Sequence, residues 1–214
     1  VIVIGVGSTS SGIPGGWEAG PSLAGIHLTD ETVSKTVERI STMIGREKQH
    51  GDIAVVSVHW GGNWGYEIPG RQIELAHALV DTGSVDIVHG HSSHHPKGLE
   101  VYKNRLILYG CGDFINDYEG ISSHDKYRTD IVLGYFPTVD EDGGLESLTI
   151  QPYRKRKFSL VFASTEETEW TASRLTRISK RFGSRVIVSG RKTRTGGEEG
   201  VPEEPTTLEL ELGR

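Results

Sequence analysis

The sequence has a single cysteine, Cys111, in 214 residues. One thiol excludes an intramolecular disulfide and a thiolate zinc cluster. Long apolar runs are also missing, and none approaches the roughly 18 residues of a membrane span. Apolar residues make up only 35% of the chain, while glycine is abundant at 28. That balance points away from a helical bundle and toward a loop-rich globular protein. Excess positive charge is absent as well. The formal net charge is -6, which argues against a nucleic-acid binder. The Gly-rich stretch GVGSTSSG lacks the Walker lysine and the GxGxxG spacing, so it is not a nucleotide phosphate loop. The chain opens on VIVIGV rather than Met and shows no signal peptide, and it is expected to be the C-terminal portion of a longer protein.

What is present is histidine. Val85–Gly98 reads VDIVHGHSSHHPKG, with His89, His91, His94 and His95 within seven residues of one another. Imidazole is the commonest metal ligand and a general acid or base near neutral pH.

The pattern around this stretch is strand, helix, strand. Val1–Val6 is a β-branched run that passes into a Gly/Ser/Pro-rich loop. With Thr29 or Asp30 as its cap, Glu31–Gln49 reads as a helix, with Val33, Val37, Ile40, Met43 and Ile44 on one face. Ile53–Val58 is apolar enough for a strand buried on both faces. Arg71–Val80 reads as a short helix and Val85–Val88 as another buried strand, with GHSSHHPKG as a loop. Leu99–Tyr102 and Arg105–Tyr109 flank Lys103-Asn104, a hairpin signal. Asp130–Pro137 and Leu145–Tyr153, joined by DEDGG, form a second hairpin. Glu166–Phe182 is an amphipathic helix, and Arg185–Val188 a last strand of the domain. Residues 1–190 are expected to form one α/β layered domain. Residues 191–214 are expected to be a polar, disordered tail, Arg191–Pro205 above all, ending in TLELEL as an edge strand.

Three apolar strands hand their carboxyl ends to loops rich in His, Asp, Asn and Gly. Functional loops gather at such ends in layered α/β folds. His59 follows IAVVSV, His89 and His91 follow VDIV, and Asp113 follows LILYGCG. A divalent transition metal is therefore expected on His59, His91 and His94. Glu67, Glu100, Asp113 and Asp117 are the nearby carboxylates that can orient a ligand histidine or move a proton. Asp113 sits best for that, in a tight turn after a strand, with shaping of the turn itself as the competing role. His94 and Asp113 are the candidates for proton transfer. Trp60, Asn63 and Glu67 surround His59 and are assigned to substrate contact. Trp60, Trp64 and Tyr66 either stack on a ligand or close the core. His95 precedes Pro96 and is expected to be extended and partly exposed. Cys111 reads as a small buried residue rather than a nucleophile. The one basic run, Arg154–Lys157, reads as a solvated strand end. No role falls to His27, His50, His77 or His124.

SVHWGGNWGYEIP, then LAHALVDTG, VDIVHGHSSHHPKGLEVY and RLILYGCGDFIND, in that order, resemble the CapA-type poly-γ-glutamate capsule synthesis proteins. The wording is similar to the branch described as polyglutamine synthesis accessory proteins. The resemblance is strong over residues 53–118. It implies the fold of the calcineurin-like metallophosphoesterases, a four-layer α/β/β/α sandwich with a metal centre at the strand ends. It also implies one or two ions of Mn, Zn or Fe, with His59, His91 and His94 at the family's histidine positions. Asp113 stands where many members carry Asn. No Asp-x-His and no Asn-His occurs in the sequence, so half of that superfamily's ligand set is missing, and metal binding by this chain is expected to be incomplete. The implied role is accessory to synthesis of poly-γ-glutamate or another anionic polymer, through contact with polymer or synthase. The alternative is a metal-dependent hydrolase of phosphoesters or of an amide-linked polymer.

Overall fold

Two β-branched runs, six residues each, set the first sheet. In the computed structural model, which describes residues 1–29, 32–116, 124–190 and 205–212, β1 (Ile2–Gly7) lies parallel to β2 (Ala54–His59). Next comes β3 (Ile87–His91), also parallel, then β5 (Arg105–Leu108), with β4 (Leu99–Tyr102) antiparallel at the edge. The register pairs Gly7 with His59 and His59 with His91, so three strands end in line. Lys103 and Asn104 carry the β4–β5 turn at φ 48° and 61°, the doubly left-handed geometry of a type I′ hairpin.

One face of this sheet is covered by two helices. α1 (Val33–Glu47) buries Ile40 and Ile44, and α2 (Gly70–Asp81) buries Leu75, Ala76, Leu79 and Val80. They pack on Val56, Val58, Val88 and Ile107. The expected start of α1 at Glu31 is displaced. The Thr29 N–H bonds to the Gly7 carbonyl at 2.7 Å, which ties that residue to β1, and the cap is Thr32. Asp30 and Glu31 lie outside the described residues.

The other face meets a second sheet. β6 (Ile131–Val139) and β7 (Leu145–Arg156) form the expected hairpin, its turn held by Asp140 Oδ1, which accepts from the Gly144 N–H at 2.6 Å. β8 (Ser159–Phe162) pairs with β7 and has no counterpart among the expected strands. β9 (Arg185–Ser189) and β10 (Thr207–Glu211) complete the sheet. Leu99, Leu106 and Leu108 of the first sheet pack with Leu148, Ile150 and Leu208 of the second. α3 (Thr165–Ser179) begins at a capping box of Ser164 and Glu167 and adds Ala172 and Leu175 to the same core.

The architecture is thus mixed α/β with two sheets. The layers run helices, sheet, sheet, with α3 joining the core on the inner face of the second sheet. Among the described residues no helix lies on the outer face, where Phe136, Glu209 and Glu211 are exposed.

Two further expectations change. TLELEL is not an edge strand, because β10 sits between β7 and β9. Period-2 alternation shows that one face is buried, but it is silent on neighbours. The basic run is not simply solvated either. Lys155 is buried, its Nζ donating to Asn116 Oδ1 at 3.0 Å, and Arg154 pairs with Asp130 and Glu167. The expected disorder of the tail falls on residues 191–204, outside the described residues.

Candidate functional site

Strand periodicity builds the first part of the site. Ser57 pairs with His89 and His59 with His91, and residues two apart on a strand share a face. Continued backward, that face is Val55 and Ile87, which belong to the inter-sheet core. The histidines therefore cap the apolar space between the sheets. β3 runs on through His91, so His91, expected in the loop, belongs to the strand with His89.

His59 Nδ1 and His91 Nδ1 stand 3.0 Å apart, with ring centroids 4.9 Å apart. His89 Nδ1 lies 3.1 Å from Ser57 Oγ. Burial holds His59 and His89 below the usual imidazole range. His91 is brought down to about 4, by burial first and then by its His59 and His89 neighbours. The pair is neutral at neutral pH. In the 3.0 Å contact one Nδ1 carries the proton and the other accepts it.

His94 goes elsewhere. Its Nδ1 faces both oxygens of Asp113, at 3.0 and 3.1 Å. Asn116 Nδ2 donates to Asp113 Oδ2 at 3.0 Å. The His94 N–H donates to the Asn63 carbonyl, and its ring packs against Trp64, centroids 5.4 Å apart. The carboxylate fixes the Nδ1–H tautomer and leaves Nε2 as the working nitrogen. The two catalytic candidates, His94 and Asp113, are thus in direct contact, a pairing that the sequence did not specify. The expected three-histidine shell is not formed. Among the described residues no group of three or more His, Cys, Asp or Glu side chains is placed to hold an ion.

An aromatic cluster surrounds that pair. Trp64 stacks on His124, centroids 3.9 Å apart. His95 stacks on Tyr127 at 4.2 Å and meets the edge of Tyr66 at 4.8 Å. His95 is only 1% exposed, contrary to the expectation from its place before proline. Proline restrains the backbone of His95 and not the direction of its ring, and the aromatic neighbours take the ring inward. Its Nδ1 bonds the Pro96 carbonyl at 3.0 Å, and its buried Nε2 has no partner among the described residues. Burial lowers its pKa to about 4. His124, given no role from sequence, is part of this cluster.

The remaining candidates separate. Trp60 is buried, with its indole N–H on the Tyr109 carbonyl at 3.0 Å, so most of it serves the core. Glu67 is exposed. Glu100 is buried and accepts from Tyr109 Oη at 2.7 Å, with His77 Nε2 at 3.0 Å. It belongs to a structural network around His77, another residue sequence left unassigned. Cys111 is buried, and burial pushes its thiol far up, which leaves it inert. Asp117 lies outside the described residues.

A layered α/β protein that ends two neighbouring parallel strands in histidines, with a His–Asp pair beside them, has known relatives. Residues 1–118 match the family described as bacterial capsule synthesis protein PGA_cap, and the chain belongs to that family. It is 43% identical over 189 residues to a probable polyglutamine synthesis accessory protein of Mycobacterium tuberculosis, covering 87% of this chain and 50% of that one. It is 41% identical over 84 residues to the PGA biosynthesis protein CapA of Bacillus subtilis, which covers 39% of this chain and 22% of the relative. It is 37% identical over 81 residues to the capsule biosynthesis protein CapA of Bacillus anthracis, 38% and 20% of the two chains. The chain spans about half the length of the first of these relatives. Among the described residues no helix is long and apolar enough to cross a membrane.

Proposed function

We propose that this chain acts as an accessory protein in the assembly of poly-γ-glutamate, an amide-linked anionic polymer, on a metallophosphoesterase-like scaffold. One observation carries the reading. The stretch matched by the capsule-synthesis family, residues 1–118, includes every residue of the His59–His91 and His94–Asp113 pairs. The accessory role is supported by the names of the relatives and by neutral, proton-sharing side chains in place of a nucleotide-binding loop. The chain would engage the polymer or its synthase rather than form the amide bond.

The His59–His91 contact favours a second reading, a metal-dependent hydrolase. Two imidazoles on one tetrahedral ion, with bonds of about 2.0–2.1 Å, hold their nitrogens roughly 3.3 Å apart. The Nδ1 atoms stand at 3.0 Å, and both rings are neutral, as ligands must be. These two would hold the ion, which would supply Lewis acidity. They amount to half a shell, and neither offsets charge. The described residues therefore do not fit a complete centre. His94, oriented by Asp113, would act as general acid or base on either reading.

Retention of poly-γ-glutamate on the immobilised chain tests the first reading. Retention is expected to survive chelation of divalent ions, with the length of the polymer unchanged. Shortening of the polymer on adding Mn2+ or Zn2+ would favour the hydrolase, and no retention under either condition would overturn the accessory role.

A further inference from the structure

A cleft of about 820 Å3 lies on the helix-covered side of the first sheet and plays no part in the account so far. It opens where β1 and β2 end. The Ser8 N–H donates to the His59 carbonyl at 2.9 Å, and Ser10 Oγ accepts from the Gly61 N–H at 3.0 Å. Ser8, Ser10 and Arg71 line it, with the Trp60 ring as an apolar wall. Gln72, from the first turn of α2, lines it too.

Gln72 is the unusual member. It is 6% exposed, and both its Nε2 and its Oε1 are buried with no hydrogen-bond partner among the described residues. Its amide rests against Gly61, where a Cβ would come 2.4 Å from Nε2 and where φ is +73°. A side chain at position 61 is strained by the positive φ and would have to displace the Gln72 amide, so the glycine keeps room for it. A buried donor or acceptor left unpaired forfeits its hydration without replacement. Two on one side chain at the wall of a cleft call for a ligand that supplies both partners.

The chemistry narrows that ligand. Oε1 only accepts, so it needs an N–H or O–H. Nε2 only donates, so it needs a carbonyl or carboxylate oxygen. A simple polycarboxylate offers oxygens alone and leaves Oε1 orphaned. A chain of amides offers both groups, one from each of two neighbouring peptide units. Carboxylates along the same chain match the serine hydroxyls of the cleft.

Resting on the polymer-handling role proposed above, we infer that this cleft is a subsite for an amide-linked glutamyl segment, read through its amides by Gln72. Gln72 takes the polymer N–H on Oε1 and gives a hydrogen bond to a polymer carbonyl through Nε2. The selectivity follows from these two bonds and is directed against polyanions that lack amides.

Calorimetric titration of the chain with oligo-γ-glutamate and with polyacrylate of equal charge and length tests this. Oligo-γ-glutamate is expected to bind at least about tenfold more tightly, because the amide-free polymer leaves a buried acceptor unpaired. Gln72→Leu is expected to bring the two affinities together while raising thermal stability, since it removes two orphaned atoms. Gln72→Glu keeps the shape, removes the donor and adds a like charge, and is expected to weaken oligo-γ-glutamate most; it serves if the leucine variant fails to fold. Equal binding of the two polymers by the unaltered chain, or a preference that survives both substitutions, overturns the subsite and leaves the accessory role standing. If neither polymer binds, the role falls and the subsite with it.

Discussion

His59 and His91 end neighbouring parallel strands, in register, with their Nδ1 atoms 3.0 Å apart. Two strand ends present the same ring to the same point, and among the described residues no third His, Cys, Asp or Glu stands with them to hold an ion. Zinc or manganese titrated into the chain is therefore expected to bind weakly and through these two residues. His91→Ala should lower that affinity at least about tenfold, since even altering a group behind a ligand costs that much. His94→Ala should leave it unchanged, because His94 is engaged with Asp113. Tight binding, or binding that needs His94, would show that the loops rearrange into the three-histidine shell.

His95 makes acid a destabiliser. Its ring is buried and its pKa lies near 4 in the fold against an ordinary 6.5. Between those values the unfolded chain binds the proton and the folded chain does not, so stability falls as pH drops from about 6.5 toward 4 and levels off below. The shift corresponds to roughly 3 kcal/mol at 1.36 kcal/mol per unit. His95→Phe keeps the stacking on Tyr127 and removes the titrating nitrogen. Urea unfolding at several pH values should show a shallower acid slope in that variant, and an unchanged slope would assign it to other groups.

The first sheet was legible because its strands are short β-branched runs and its one hairpin turns on Lys103-Asn104. The β7–β8 hairpin uses the same doubly left-handed turn at Lys157 and Phe158, φ 48° and 60°. Neither residue signals a turn, so β8 was invisible. For the site, sequence spacing brought out His59, His91, His94 and Asp113. It missed His77 and His124, whose partners Glu100 and Trp64 are distant in sequence. It overcounted the metal shell because G-H-x-x-H does not say where each ring points. Gln72 carries no motif, and only its burial beside Gly61 distinguishes it.

That turn gives a prediction of its own. Lys157 and Phe158 hold a conformation that costs a residue with a Cβ roughly 1–2 kcal/mol, and Phe158 is 64% exposed, so little packing depends on it. Replacing them together, Lys157→Asn with Phe158→Gly, should raise the unfolding free energy by about 1 kcal/mol. A destabilised double variant would show that the Phe158 ring has a packing role.

Glu100 joins α2 to the first sheet, accepting from Tyr109 and meeting His77, which stacks on Tyr102 with centroids 3.8 Å apart. Hydrogen bonds to a charged group are worth about 1.5–3 kcal/mol. Glu100→Gln removes the charge and turns an amide N–H2 toward one of two donors. A loss of about 2–3 kcal/mol by urea unfolding is expected, with polymer retention intact in the folded fraction. A variant of normal stability that no longer retains polymer would instead move Glu100 into the functional site.

The last prediction concerns β10, which follows the segment outside the described residues and pairs with both β7 and β9. Leu208 is fully buried, opposite Ile150 on one side and Val188 on the other. Among the described residues β9 has no other strand partner. Removing residues 205–214 should therefore do more than trim an end. It should free β9, expose Leu148 and Ile150, and weaken the support of α3, whose Leu175 belongs to the same core. Leu208→Ala is the milder version and should cost about 2–5 kcal/mol, the range for emptying a buried leucine site. An edge strand would respond differently, because half its surroundings are solvent and its loss leaves the neighbouring strand paired on its other side. Chemical unfolding of Leu208→Ala beside the truncated chain separates the cases. A cost below about 1 kcal/mol, with a truncated chain that unfolds cooperatively at the same denaturant concentration, would place β10 at the margin of the sheet rather than within it.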